Sequence, residues 1–183
     1  MSEIQALAQA YERFVKLPWD ANLAGPQKVW FVIYAPEQER RLRLHISDFE
    51  MATKRAKHGW RLIDLTDSFA TWMAHHEYRD AYFESPDDMG LALQDFAHNV
   101  ASQVIDTLTA VDVDENSVVA ITGVGALFGL ASASELMNAV ADHIRGRLLV
   151  FFPGQREGNN YRLLDARDGW NYLAVPITAN DEG

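Results

Sequence analysis

Ile4, Leu7, Ala8, Tyr11, Phe14 and Val15 recur at steps of three and four, the spacing that gathers apolar side chains on one face of a helix. Ser2-Glu3-Ile4-Gln5 forms a capping box at the start of that run. The helix is expected to end near Leu17-Pro18. A polar stretch over 20–27 then leads to Val29-Trp30-Phe31-Val32-Ile33-Tyr34. That unbroken apolar run predicts a strand buried on both faces, as in a parallel sheet.

The following segment carries two competing patterns. Arg41-Leu42-Arg43-Leu44-His45-Ile46 alternates with the period of a half-exposed strand. Ser47-Asp48-Phe49-Glu50 is a second capping box, which favours a fresh helix from Ser47 to a left-handed cap at Gly59. The rival is one helix over 37–58, because Arg, Leu and Glu all favour helix. Trp60-Arg61-Leu62-Ile63-Asp64-Leu65 predicts the next strand, and Asp67 or Ser68 caps a helix through Phe69, Trp72 and Met73. Ser85-Pro86-Asp87-Asp88 opens the longest helix, with Met89, Leu93, Phe96, Val100, Val104 and Leu108 on its apolar face. A short buried strand is expected over 118–122. Ser132-Ala133-Ser134-Glu135 starts a helix that Gly146 closes, and Leu148-Leu149-Val150-Phe151-Phe152 is a further buried strand. Segments 161–164 and 171–177 flank Asp168-Gly169 as a hairpin. The tail over 178–183 is expected to fray.

Strands alternate with helices, so the class is α/β: a mostly parallel sheet with helices on both faces and antiparallel strands at an edge. The 183 residues, 48 % of them apolar, suit a single domain over 1–183 whose first helix lies within 1–17. The absence of a long apolar run predicts no membrane span, and Met1-Ser2-Glu3-Ile4 lacks the basic head of a signal peptide. The chain has no cysteine, which excludes disulfides, thiol nucleophiles and cysteine-held metals and agrees with a cytoplasmic location.

Net charge is −10, which argues against a general nucleic-acid coat and against direct DNA binding. The charge is uneven. Arg40, Arg41, Arg43, Lys54, Arg55, Lys57 and Arg61 face only Asp48 and Glu50 within 40–61, a local +5 that leaves −15 on the rest. Such a patch can steer docking, or simply form a solvated helix face and a guarded edge strand.

Gly123-Val124-Gly125-Ala126-Leu127-Phe128-Gly129 follows a buried strand, the context in which glycine loops cradle phosphate. The third glycine is one place late for the dinucleotide pattern, no Lys-Ser or Lys-Thr follows, and the centre is apolar. Packing onto the sheet or a partner therefore competes with ligand binding. A second loop is expected over 153–160, where Gly154, Arg156 and Asn159 would face the first at the carboxyl end of the sheet, with Arg156 either gripping an anion or simply offsetting Glu157 on the surface. His75-His76 point about 100° apart on a helix and predict no metal site. No catalytic constellation emerges, and no cofactor is called for.

From the third strand onward the chain resembles the BrxB family of BREX bacteriophage-defence systems. The resemblance rests on Thr122-Gly123-Val124-Gly125-Ala126-Leu127-Phe128-Gly129, Ser134-Glu135-Leu136, Leu149-Val150-Phe151-Phe152-Pro153-Gly154 and Asn160-Tyr161-Arg162-Leu163-Leu164. Upstream, Tyr34-Ala35-Pro36-Glu37 and Gly59-Trp60 extend it to roughly 28–177. The resemblance implies a degenerate nucleotide-binding-like fold without catalytic residues, acting as a non-enzymatic assembly subunit. It implies partners within the system: a PglZ-type alkaline-phosphatase-like protein, a large ATPase and a DNA methyltransferase. Homo-oligomer formation stays open. The alternative is a nucleotide- or small-anion-binding domain using Gly123, Gly125 and Arg156.

Overall fold

Apolar strand sequences dominate the centre of the computed structural model, which describes residues 1–77, 79–166 and 169–180. Strands β1 (Val29–Tyr34), β2 (Gly59–Asp64), β3 (Ser117–Thr122) and β4 (Arg147–Glu157) lie parallel, and β7 (Val175–Ile177) joins the far side of β1. Their spatial order is β2-β3-β4-β1-β7. Successive side chains point to opposite faces, so both faces need a cover. Helices α1 (Glu3–Val15) and α2 (Glu39–Arg55) pack on one face against Trp30, Val32, Val118, Ala120, Leu149 and Phe151. The other face carries Val29, Phe31, Ile63, Val119, Ile121, Leu148 and Val150. Helices α5 (Gly90–Leu108) and α6 (Ala133–Val140) cover it, with the shorter α3 (Ser68–Ala74) and α4 (Arg79–Glu84) between β2 and α5. The fold is α/β, as the alternation of patterns predicts.

Two of the predicted start signals work as their chemistry requires, whereas Asp67 and Ser85 stand at the cap positions of α3 and of a tight turn, Pro86–Met89, without a side-chain bond to either, and α5 begins only at Gly90. Ser2 and Gln5 close a reciprocal capping box on α1, and the Ser132 hydroxyl accepts from the Glu135 amide at α6. Other expectations are corrected. The alternating segment 41–46 is not a strand: the rival reading of one helix over 37–58 is the nearer one, with α2 unbroken from Glu39 to Arg55 and Ser47 inside it. The reason is packing. Leu42, Phe49, Ala52 and Thr53 form the buried helical stripe, while Leu44, two residues from Leu42, stays 75 % exposed.

Nor does Gly59 cap α2. Lys57 takes the left-handed conformation at φ 71°, its amide bonds Lys54 O at 3.0 Å and the His58 amide bonds Thr53 O at 3.1 Å. This is a Schellman closure, and Gly59 is free to begin β2. Helix α6 stops at Val140 and continues as a single tight turn, Ala141–His143, before Gly146 is reached.

The loop expected over 153–160 is mostly strand. β4 continues to Glu157, turns at Gly158 with φ 60°, and pairs antiparallel with β5 (Asn160–Leu163). Strand β6 (Trp170–Asn171) adds to β5, so the antiparallel pair expected after residue 160 is present. Asp168, placed at its turn, lies outside the described residues. Segment 171–177 is divided, because β7 pairs parallel with β1 instead of extending β6. Ala179 packs on the α1–α2 side of the core.

Candidate functional site

The connection after β1 leads to α2 on one face, whereas those after β3 and β4 lead to elements on the other. Parting connections of this kind open a crevice at the carboxyl ends of the strands, the usual ligand position in open α/β sheets. Here the crevice has a volume of about 350 Å³. Pro36, Ala126, Pro153 and Leu164 give it apolar walls, and Glu39, Arg43 and Thr66 are its polar members beside Gly123 and Gly125.

A continuous network joins those polar members. The Tyr34 hydroxyl donates to Glu39 Oε2, and Arg43 Nε donates to Glu39 Oε1 at 3.2 Å. The same guanidinium reaches Asp64 Oδ2 from Nη1 at 3.4 Å and Thr66 Oγ1 from Nη2 at 2.5 Å. Thr66 then donates twice to Asp64 Oδ1, from its amide at 3.0 Å and its hydroxyl at 2.6 Å. Partial burial pushes the Asp64 carboxyl up, but the two Thr66 bonds and Arg43 outweigh it and hold the group below the ordinary carboxylate value. Burial, then the bond to Glu39, drives the Tyr34 phenol well above its ordinary value, so it stays protonated as a donor.

Gly123 and Gly125 therefore do sit at the expected edge. Gly123 has φ 81°, and a Cβ on it would lie 2.6 Å from the Thr66 amide nitrogen, so the glycine lets the β3 loop press against the turn after β2. Gly129 lies farther along, with open space around it. Gly154, Arg156 and Asn159 belong to the β4–β5 hairpin: Gly154 is opposite Leu163, Arg156 donates to Gly158 O at 3.1 Å, and Asn159 O accepts from the Tyr172 amide at 2.9 Å.

The basic segment is also reapportioned by folding. Arg43 is held by Glu39 and Asp64, Lys54 by Glu50 at 2.9 Å, Arg55 by Glu12 at 3.1 Å and Arg61 by Asp112 at 2.7 Å. Glu12, Glu39, Asp64 and Asp112 all come from outside 40–61, which the linear sum could not register. Arg40, Arg41 and Lys57 are exposed and make no ion pair among the described residues. Sequence reasoning missed the roles of Tyr34, Glu39 and Thr66. The only advance signal was position, since Tyr34 ends one strand and Thr66 follows another. Among the described residues no group of three or more His, Asp and Glu side chains is placed to hold a metal, and His75 is occupied by the Thr71 carbonyl at 2.8 Å.

A family model described as BREX protein BrxB matches residues 63–177. The chain belongs to the BrxB family. BrxB membership makes it a component of a BREX phage-defence system. The matched segment takes in β3, β4, the glycine loop, Asp64 and Thr66, while β1, α1 and α2 precede it. The upstream features Tyr34-Ala35-Pro36-Glu37 and Gly59-Trp60 thus lie outside the match. No curated protein and no solved structure matches this BrxB chain. No helix among its described residues is long and apolar enough to cross a membrane.

Proposed function

We propose that this BrxB chain serves its BREX system as a non-enzymatic interaction subunit, binding other subunits instead of transforming a substrate. The observation that carries the reading is the state of the crevice. Where a sheet of this type would take a ligand, Glu39, Arg43, Asp64 and Thr66 are spent on one another and on Tyr34, and the remaining wall is apolar. A carboxylate held ionised by a guanidinium and two Thr66 donors is a poor general base, because its basicity has been lowered.

The outward face of α2 suits partner contact. Arg40 and Arg41 are exposed near its start, and Leu44 and Met51 are 75 % and 55 % exposed along it. Exposed apolar side chains bordered by cations fit an acidic surface with an apolar centre. The PglZ-type alkaline-phosphatase-like protein and the large ATPase of the system are the partners proposed for it.

Calorimetry against ATP and GTP at millimolar concentration tests the non-enzymatic half of this reading, and no binding heat is expected. Gel filtration with each partner tests the other half. The triple variant Arg40→Glu, Arg41→Glu, Leu44→Asp should lose a complex that the parent chain forms, with its melting temperature unchanged. Nucleotide binding or turnover abolished by Asp64→Asn would overturn the proposal in favour of a ligand site.

A further inference from the structure

The two ends of the sheet are built differently. β7, at one end, is three residues long with Pro176 at its centre, a short proline-bearing edge that resists strand addition. β2, at the other, runs six residues without proline, and no strand among the described residues pairs with its outer side. The Gly59 and Leu65 amides donate to Asn116 O and Thr122 O at the two ends of the β2–β3 ladder. Odd-numbered residues therefore face β3. The N–H and C=O groups of Trp60 and Leu62 point away from the sheet, as an incoming strand requires.

Side chains along this edge sort by face. Trp60 and Leu62, aligned with Val118 and Ala120, lie on the α2 side, and Leu62 is 43 % exposed. Arg61, aligned with Val119, lies on the α5 side and is exposed there, with Lys57 just before the strand. Asp112 bonds Arg61 through both carboxylate oxygens, at 2.7 and 2.9 Å, so an acidic partner residue would share or displace that exposed pair, while Lys57 makes no ion pair among the described residues.

We propose that the free edge of β2 takes up an extended segment of another BREX protein, a strand alternating apolar residues toward Leu62 with acidic residues toward Arg61. The inference rests on the reading of this chain as an interaction subunit and names one surface and its occupant. Charge selects that occupant over a second copy. β2 carries no acidic residue on the face of Arg61, so self-pairing would give Lys57 and Arg61 no new partner and would join two bodies of net charge −10.

Hydrogen exchange of the full chain, alone and with each purified BREX protein encoded beside it, tests this. The Trp60 and Leu62 amides should exchange freely in the chain alone and slow by at least about tenfold in one of the complexes. Leu62→Pro removes an outward donor without breaking a bond to β3 and should weaken that complex about tenfold or more, whereas Leu62→Val, which trims the side chain but keeps the donor, retains it. Arg61→Glu should also weaken it. If Leu62→Pro does not fold, exchange in the parent chain decides alone. A complex that leaves both amides exchanging freely overturns the edge assignment but not the interaction reading. Protection already present in the chain alone, with dimer mass in sedimentation, overturns it in favour of a second copy. No complex with any BREX protein defeats both readings.

Discussion

Gly123 and Thr66 are in direct backbone contact. A Cβ at position 123 would lie 2.6 Å from both the amide nitrogen and the hydroxyl of Thr66, and 2.8 Å from Asp64 Oδ1. The contact ties the loop after β3 to the turn after β2 and keeps Thr66 in place to cap Asp64. Gly123→Ala meets a steric clash on top of a φ of 81°, so a loss of about 2–3 kcal/mol is expected. Gly129→Ala has a similar φ of 77° but nothing within 4 Å, and should cost about 1 kcal/mol. Urea midpoints of the two variants check the difference, and equal losses would mean that the Thr66 contact carries nothing.

Beneath α2, the Tyr11 hydroxyl meets Thr53 Oγ1 at 2.5 Å, and Thr53 donates on to Phe49 O at 2.8 Å. Both side chains are fully buried. Thr53→Val strands a buried phenol and should cost about 1–3 kcal/mol. Adding Tyr11→Phe removes the stranded group, so the double variant should be no worse than Thr53→Val alone. A double-mutant cycle by denaturation reads this, with a coupling of about 0.5 kcal/mol or more expected.

Asp64 links the site to acid stability. Its folded-state carboxyl is held below its ordinary value of 3.8, so its contribution is present above that value and fades as pH falls through the lower folded one. Asp64→Asn should melt below the parent near pH 6, and the gap should narrow as the pH drops below about 3.8. A gap that stays constant across an acid series of melts would show that the carboxylate contributes no charge-dependent stability.

At the amino end of the sheet, Trp19 meets both a histidine ring and a guanidinium. His58 stacks on it at 3.6 Å, and the buried Arg147 guanidinium lies 4.9 Å from its ring centre while donating to Asp20 O at 2.8 Å and Gly146 O at 3.0 Å. Arg147→Met keeps the stem but leaves two carbonyls without their donor, for a loss of about 2–4 kcal/mol. Urea denaturation checks the loss. Unchanged stability would contradict the role given to the guanidinium.

Much of the fold is written in short-range pattern. The apolar runs at β1, β3 and β4 and the Ser caps of α1 and α6 state their conformations locally. The errors arise where a distant contact chooses between two local patterns. Arg41-Leu42-Arg43-Leu44 satisfies a strand period as well as a helix propensity, and the burial of Leu42 and Phe49 against the sheet selects helix. Gly154 was expected in a loop, but it lies where a Cβ would meet Arg162 O at 2.1 Å, a closeness that a paired β5 imposes and no neighbouring residue announces. The site divides the same way. Gly123 and Gly125 were legible from a glycine-rich turn after a strand. The Arg43–Asp64–Thr66 network joins residues 21 and 23 positions apart and exists only once α2 crosses the sheet.

The central claim is that this BrxB chain works by binding within its BREX system, without chemistry of its own. Its most direct test is sedimentation of the purified full chain with the PglZ-type protein and with the large ATPase, each in turn. A complex of fixed stoichiometry is expected with at least one of them, kept by Asp64→Asn and lost by Arg40→Glu, Arg41→Glu, Leu44→Asp. Failure to form a complex with either, or a complex insensitive to the α2 substitutions but lost with Asp64→Asn, would contradict it.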